Sequence, residues 1–165
     1  MTSLRQITLG VAIGDADHGV REQGGPNTGP RVRKYLENAG INVAAPWCAA
    51  AVQYWSDVAA RMLAVPNPLD DVKLEALVQS YYNWGSSRSL LLKPEHALPG
   101  DLVLYNFHAK RWDHIGLLLD TPTDGAFRAV EGNTNEAGSR EGDGVLVRVR
   151  STAKGYPVAF VRWSA

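Results

Sequence analysis

The sequence predicts an α+β domain, with helices from the first half packed on an antiparallel sheet built from the second. Two observations carry that expectation. Up to about residue 84, apolar residues recur every three or four positions; after Pro99-Gly100 they come in short runs rich in branched and aromatic residues, split by Gly, Asp, Asn and Pro clusters. The two patterns are also segregated along the chain, whereas a doubly wound α/β sheet requires them to alternate. No internal repeat, low-complexity tract or linker divides the 165 residues, so 1–165 reads as one domain, of a size that buries a substantial core.

The elements follow in order. Residues 7–14 form a short apolar run behind an arginine, with small residues near Ala16, which outlines a secretory signal; the run is short and broken by Gly10 and Gly14, so a first helix with one apolar face is the preferred reading. In "GPRVRKYLENAG", Val32, Tyr35, Leu36 and Ala39 share a helical face, Pro30 suits a first turn, and Gly40 suits the position past the end. Residues 47–63 repeat the pattern through the alanines, Val52, Trp55, Val58, Ala59 and Met62, up to the break at Pro66-Asn67-Pro68. A third such helix is predicted over 70–84, with Leu74, Leu77, Val78 and Tyr81 inward and Gly85 as its stop. Residues 86–93 read as a connection. Then "DLVLYNF", "HIGLLLD", "FRAVEGN", "GVLVRVR" and "PVAFVRW" read as strands, giving a sheet of five or six.

Composition excludes several classes of function. Seventeen basic and seventeen acidic residues leave no basic field to draw nucleic acid, and the charges of "RVRKYL" read as a solvated helix face. With 45% hydrophobic and 21% charged residues the chain falls among globular proteins, and no apolar run approaches the roughly 20 residues that span a bilayer, so membrane insertion is not expected. One cysteine cannot form an intrachain disulfide, so cysteine content says nothing of redox compartment.

That cysteine, Cys48 in "PWCAAAVQYW", sits where a helix begins. The first turn of a helix offers unsatisfied N–H groups and the positive end of its dipole, both of which favour thiolate, the nucleophilic form, and both of which suit a developing oxyanion. The structural alternative is a buried thiol acting as a small hydrophobe. A base decides between them. Of four histidines, His18 lies in a polar stretch, His96 in a connection and His108 in a loop after "LVLYNF"; His114 opens a strand, where the sheet would fix its backbone while the ring faces a cleft. The next strand carries Glu131, and period two puts Ala129, Glu131 and Asn133 on one face. A carboxylate in that apolar setting needs a partner, and an imidazolium on the neighbouring strand would supply one; the alternative is an edge charge reaching solvent.

The order of Cys48 in "PWCAAAV", His114 in "DHIGLLL" after "PGDLVLY", then Glu131 and Asn133 in "VEGNTN", resembles the CHAP family of cysteine, histidine-dependent amidohydrolases and peptidases. The upstream "GVREQGGPNTGPRVRKYL" is also similar to the segment before the cysteine in one branch, so the likeness runs from about Gly19 to Trp163. It implies a papain-like α+β fold, Cys48 as nucleophile, His114 as general base and later acid, Glu131 as the group that orients the imidazole, and Asn133 as auxiliary. The Cys48 amide would serve the oxyanion, with Gln23 the candidate second donor, and Trp47 and Trp112 would line a substrate groove, though core packing is an equal reading for Trp47. Family members commonly cleave amides of bacterial peptidoglycan as phage lysins, wall-remodelling hydrolases or interbacterial toxins, and the likeness points to a single-domain enzyme of that kind. Peptidoglycan is then the expected partner, reached from the cytoplasm through a phage lysis system or a secretion apparatus, with an immunity protein as a further partner and a monomer as the working unit. No cofactor is expected; "NAGINVAAPWC" stands where some relatives carry an acidic calcium loop, and "GDAD" at 14–17 is too short to argue a metal site. Two other functions stay open: hydrolysis of a non-wall amide such as a peptide or polyamine conjugate, and a catalytically silent wall-binding or phage structural domain.

Overall fold

A computed structural model describes residues 3–137 and 142–164. Among these the chain forms four α-helices and one six-stranded antiparallel sheet, the predicted α+β class. The helices are α1 (Leu4–Asp17), α2 (Pro30–Asn38), α3 (Cys48–Leu63) and α4 (Val78–Ser87). The strands are β1 (Leu91–Leu92), β2 (Leu102–Tyr105), β3 (His114–Leu118), β4 (Ala126–Thr134), β5 (Gly144–Ser151) and β6 (Val158–Val161), in the order β1-β6-β2-β3-β4-β5.

The N-terminal segment is a working part of the core. Ser3 and Gln6 form a reciprocal cap in which each backbone N–H donates to the other's side chain, fixing the start of α1. Leu4, Leu9 and Ala12 then pack inward, and buried Asp15 accepts from the Tyr35 hydroxyl at 2.6 Å, Trp55 Nε1 at 2.8 Å and Arg31 Nη2 at 2.5 Å. One carboxylate thus ties α1 to α2 and α3. At the other end of the helix, Arg5 Nη1 donates to the fully buried Asp101 at 2.7 Å, which also accepts from Arg162.

Period two sorts the sheet. Leu102, Leu104, Ile115, Leu117 and Val130 join the cluster beneath the helices, while Val103, Tyr105, Leu118, Phe127 and Ala129 build a smaller cluster on the opposite face. All five predicted strands are present. β1 was not expected: two leucines in the presumed connection pair with Phe160 and Val161 of β6, too short a strand for any periodicity to show.

The third predicted helix is the main correction. It begins at Val78 rather than residue 70, because Pro68–Asp71 forms a 3₁₀ turn whose Leu69 amide donates to the Asn67 side chain. Leu74, expected inward, has a left-handed backbone (φ 59°) and is 72% exposed. Gly85 does not stop the helix, which runs on to Ser87; a Cβ there would lie 2.8 Å from Val161 Cγ1, so glycine lets α4 approach β6. No helix among the described residues is long and apolar enough to cross a membrane.

Candidate active site

Cys48 is the first residue of α3, and Trp47 before it offers no side-chain cap, so the amides of the first turn are left without intrahelical partners. Trp47 is fully buried: its ring stacks on Tyr35 at 5.5 Å, Nε1 donates to Glu22 Oε1 at 2.9 Å, and a Cβ on Gly132 would come within 2.8 Å of it. It anchors the entrance of α3 to the core and has no surface with which to line a groove, which corrects the substrate-contacting role considered for it.

His114 opens β3 opposite Tyr105 of β2, while Glu131 sits on β4 opposite Gly116 rather than His114 itself. Since His114 and Gly116 share a face, Glu131 reaches the imidazole diagonally across the glycine. A Cβ at Gly116 would lie 2.7 Å from Glu131 Cγ and 2.6 Å from the Val130 carbonyl oxygen, so only glycine leaves that path clear. His114 Nε2 lies 2.8 Å from Glu131 Oε2, and both side chains are wholly buried.

Arg150 of β5 completes the cluster. Its Nε donates to Glu131 Oε1 at 2.8 Å and its Nη2 to Oε2, and its guanidinium lies 5.1 Å from the Tyr105 ring centre and 5.2 Å from that of Phe107. The same two rings stack against the imidazole, each at 5.7 Å. Sequence reasoning missed Arg150, because an arginine alternating with valine reads as a strand's solvent face. The available signal was that a carboxylate buried beside one ionisable imidazole still has a second oxygen to satisfy.

The electrostatics follow. Burial opposes charge on the His114 ring, but the Glu131 carboxylate and interaction with the Cys48 thiol outweigh it and push the imidazole up to about 9. Burial likewise opposes ionisation of Glu131, yet hydrogen bonds from Arg150 together with the charge of His114 hold it well below the usual carboxylate range. The ring is therefore held as imidazolium at neutral pH. Because Nε2 is committed to Glu131 and Nδ1 has no formed hydrogen bond among the described residues, Nδ1 is the nitrogen left to exchange a proton with sulfur.

Cys48 lines a cavity of about 220 Å³ between the loop before α3, the start of α4 and the turn before β3. Its walls are mainly apolar, with Leu77, Val78 and Trp112 prominent, and Arg111 stands among them. Trp112 is half-buried, stacked on Tyr82 at 4.5 Å, and lines this cavity. Gln23 does not line this cavity; it lies on an exposed loop closed by mutual hydrogen bonds with Thr28. Asn133 is also displaced. A register shift between Glu131 and Thr134, with Asn133 at φ 56°, breaks the alternation that would have kept it on the face of Glu131. It lines instead a separate cavity of about 330 Å³ with Glu22, Asn27, Asn135 and Asp143.

Of the other histidines, His108 is exposed and its Nδ1 lies 2.6 Å from Asp113 Oδ2, while His18 is exposed and bonded to the Gly14 carbonyl. The described residues contain no cluster of three or more His, Cys, Asp or Glu able to hold a metal ion. Comparison with family models, curated proteins and solved structures finds no match.

Proposed function

We propose that this protein is a cysteine-dependent amide hydrolase of CHAP-like, papain-like type, acting on bacterial peptidoglycan. The observation that supports the chemistry is the buried His114–Glu131 pair, with the imidazole anchored through Nε2, its Nδ1 without a formed hydrogen bond, and the Cys48 thiol interacting with the ring. In the reaction, the Cys48 thiolate attacks an amide carbonyl, and the oxyanion forms against the free amides of the first turn of α3. The imidazolium gives its proton to the departing amine, leaving a thioester on Cys48 and a neutral ring. That ring takes a proton from water, the hydroxide adds to the thioester, and the acid product leaves as thiolate and imidazolium return. Glu131 stays ionised throughout and holds the ring in place.

Peptidoglycan as substrate rests on the resemblance of the four sequence blocks to wall-acting CHAP enzymes, and the cavity beside Cys48 offers mainly apolar walls with Arg111 and Asp113 among them to a peptide stem. The bond cut is either the amide joining muramic acid to L-alanine or a peptide bond of the stem or cross-link. The enzyme is made in the cytoplasm and works at the wall after delivery. The deciding experiment is mass analysis of soluble fragments released from purified peptidoglycan by the wild type and by Cys48→Ala. Fragments released only by the wild type are expected, and their masses and new amine termini name the bond. Release by neither protein, across walls of more than one chemotype, overturns the substrate; equal release by Cys48→Ala overturns the mechanism.

A further inference from the structure

We infer that Arg150 is a positioning residue for this centre, acting through Glu131 to keep that carboxylate ionised and aimed at His114 over the working pH range. The inference rests on the reading of Cys48 as a nucleophile, but its test does not need a wall substrate.

The geometry separates this role from general packing. Glu131 is fully buried, and a lone carboxylate there would protonate or turn away. Arg150 occupies both of its oxygens in the planar two-point fashion that suits a guanidinium and no other side chain, so the carboxylate has one orientation in which Oε2 is also shared with His114. Tyr105 and Phe107 hold guanidinium and imidazole together, since each ring contacts both. Around the carboxylate stand His114 from β3, Arg150 from β5 and the Tyr105 hydroxyl from β2, whose ionisation burial suppresses; Tyr156 interacts with Arg150, and the Cys48 thiol of α3 interacts with the imidazole. Arg150 and His114 are thus the two cations that share one buried anion. Remove Arg150, and Glu131 loses the donor that offsets its desolvation. The carboxylate then takes up a proton at higher pH and no longer anchors an imidazolium.

The test is the pH profile of Cys48 alkylation by iodoacetamide in the full chain, for wild type, Arg150→Lys, Arg150→Met, Glu131→Gln and the double variant Glu131→Gln/Arg150→Met. Arg150→Met is expected to slow alkylation by about 10- to 100-fold at neutral pH, the worth of one or two hydrogen bonds to a charged group. Its acid limb should rise by a pH unit or more, with Arg150→Lys in between. Because Arg150 acts through Glu131, the double variant should match Glu131→Gln within about twofold. In parallel, the Glu131 carboxyl carbon followed by ¹³C NMR should show no titration above pH 4 in the wild type and a titration there in Arg150→Lys, a variant chosen to keep the fold. An acid limb unmoved in both arginine variants with no Glu131 titration in Arg150→Lys overturns the inference, as does a double variant slower than Glu131→Gln by the full Arg150→Met factor. Failure of the peptidoglycan reading looks different: a wild type that releases no wall fragments but keeps its alkylation profile.

Discussion

Gly116→Ala probes the contact between Glu131 and His114 without altering either side chain or Cys48. The added methyl would lie 2.6 Å from the Val130 carbonyl oxygen and 2.7 Å from Glu131 Cγ, against 3.4 Å for ordinary contact. The Val130 oxygen belongs to the sheet backbone, so that contact is relieved only by shifting β3 against β4, and the Glu131 side chain must in addition retreat by about 0.7 Å. That shift is enough to spoil the 2.8 Å contact with His114 Nε2. Overpacking of this kind costs about 1–3 kcal/mol, or a fall in thermal midpoint of roughly 2–12 °C for a chain of this size. Displacement of the orienting group should also lower the alkylation rate of Cys48 by about tenfold or more. Equilibrium urea denaturation and iodoacetamide kinetics on the same samples read both effects. Gly14→Ala is the matched control: it lies within α1 with open space around its Cβ position, and should gain about 0.5–1 kcal/mol without altering alkylation. If Gly116→Ala is as stable and as reactive as the wild type, Glu131 does not reach His114 over that glycine.

The imidazoles should rank sharply. His114→Ala is expected to abolish hydrolysis, while His108→Ala, which alters an exposed ring bonded to Asp113, should keep most of it; the reverse order in a fragment-release assay would transfer the base to His108. Stability should also depend on pH at both ends. His114 is raised on folding, so its contribution is complete below its unfolded value of 6.5 and is lost as pH climbs through about 9. Glu131 is lowered, so its contribution is complete above its unfolded value of 4.5 and fades as pH falls well below that. Urea midpoints measured from pH 3 to 10 should plateau between about 4.5 and 6.5, and Glu131→Gln should flatten the profile.

The strands were legible because each is a short run of branched and aromatic residues set off by Gly, Asp, Asn or Pro, and so was the start of α3, which the sequence "PWC" marks by a change of pattern. The pairing of His114 with Glu131 could be anticipated because a buried carboxylate needs a counter-charge. What lay beyond reach depended on single backbone angles or on contacts between distant strands. Leu74 keeps helical spacing from Leu77 and Val78, yet a left-handed residue turns it to solvent, and spacing alone does not register that. Asn133 keeps even spacing from Glu131, yet the shifted register carries it into another cavity. Arg150 meets Glu131 only because β5 lies next to β4, a neighbourhood set by topology.

The placement of Cys48 on α3 and of His114 on β3 has a practical consequence. The two belong to opposite halves of the chain and meet only when helices and sheet have docked. The unfolded polypeptide therefore carries an ordinary thiol, and the assembled one a thiol beside an imidazolium. With one sulfhydryl in the sequence, a brief pulse of alkylating reagent during refolding counts, molecule by molecule, how far assembly has gone. The residue proposed to cut substrate doubles as a built-in clock for the last step of folding.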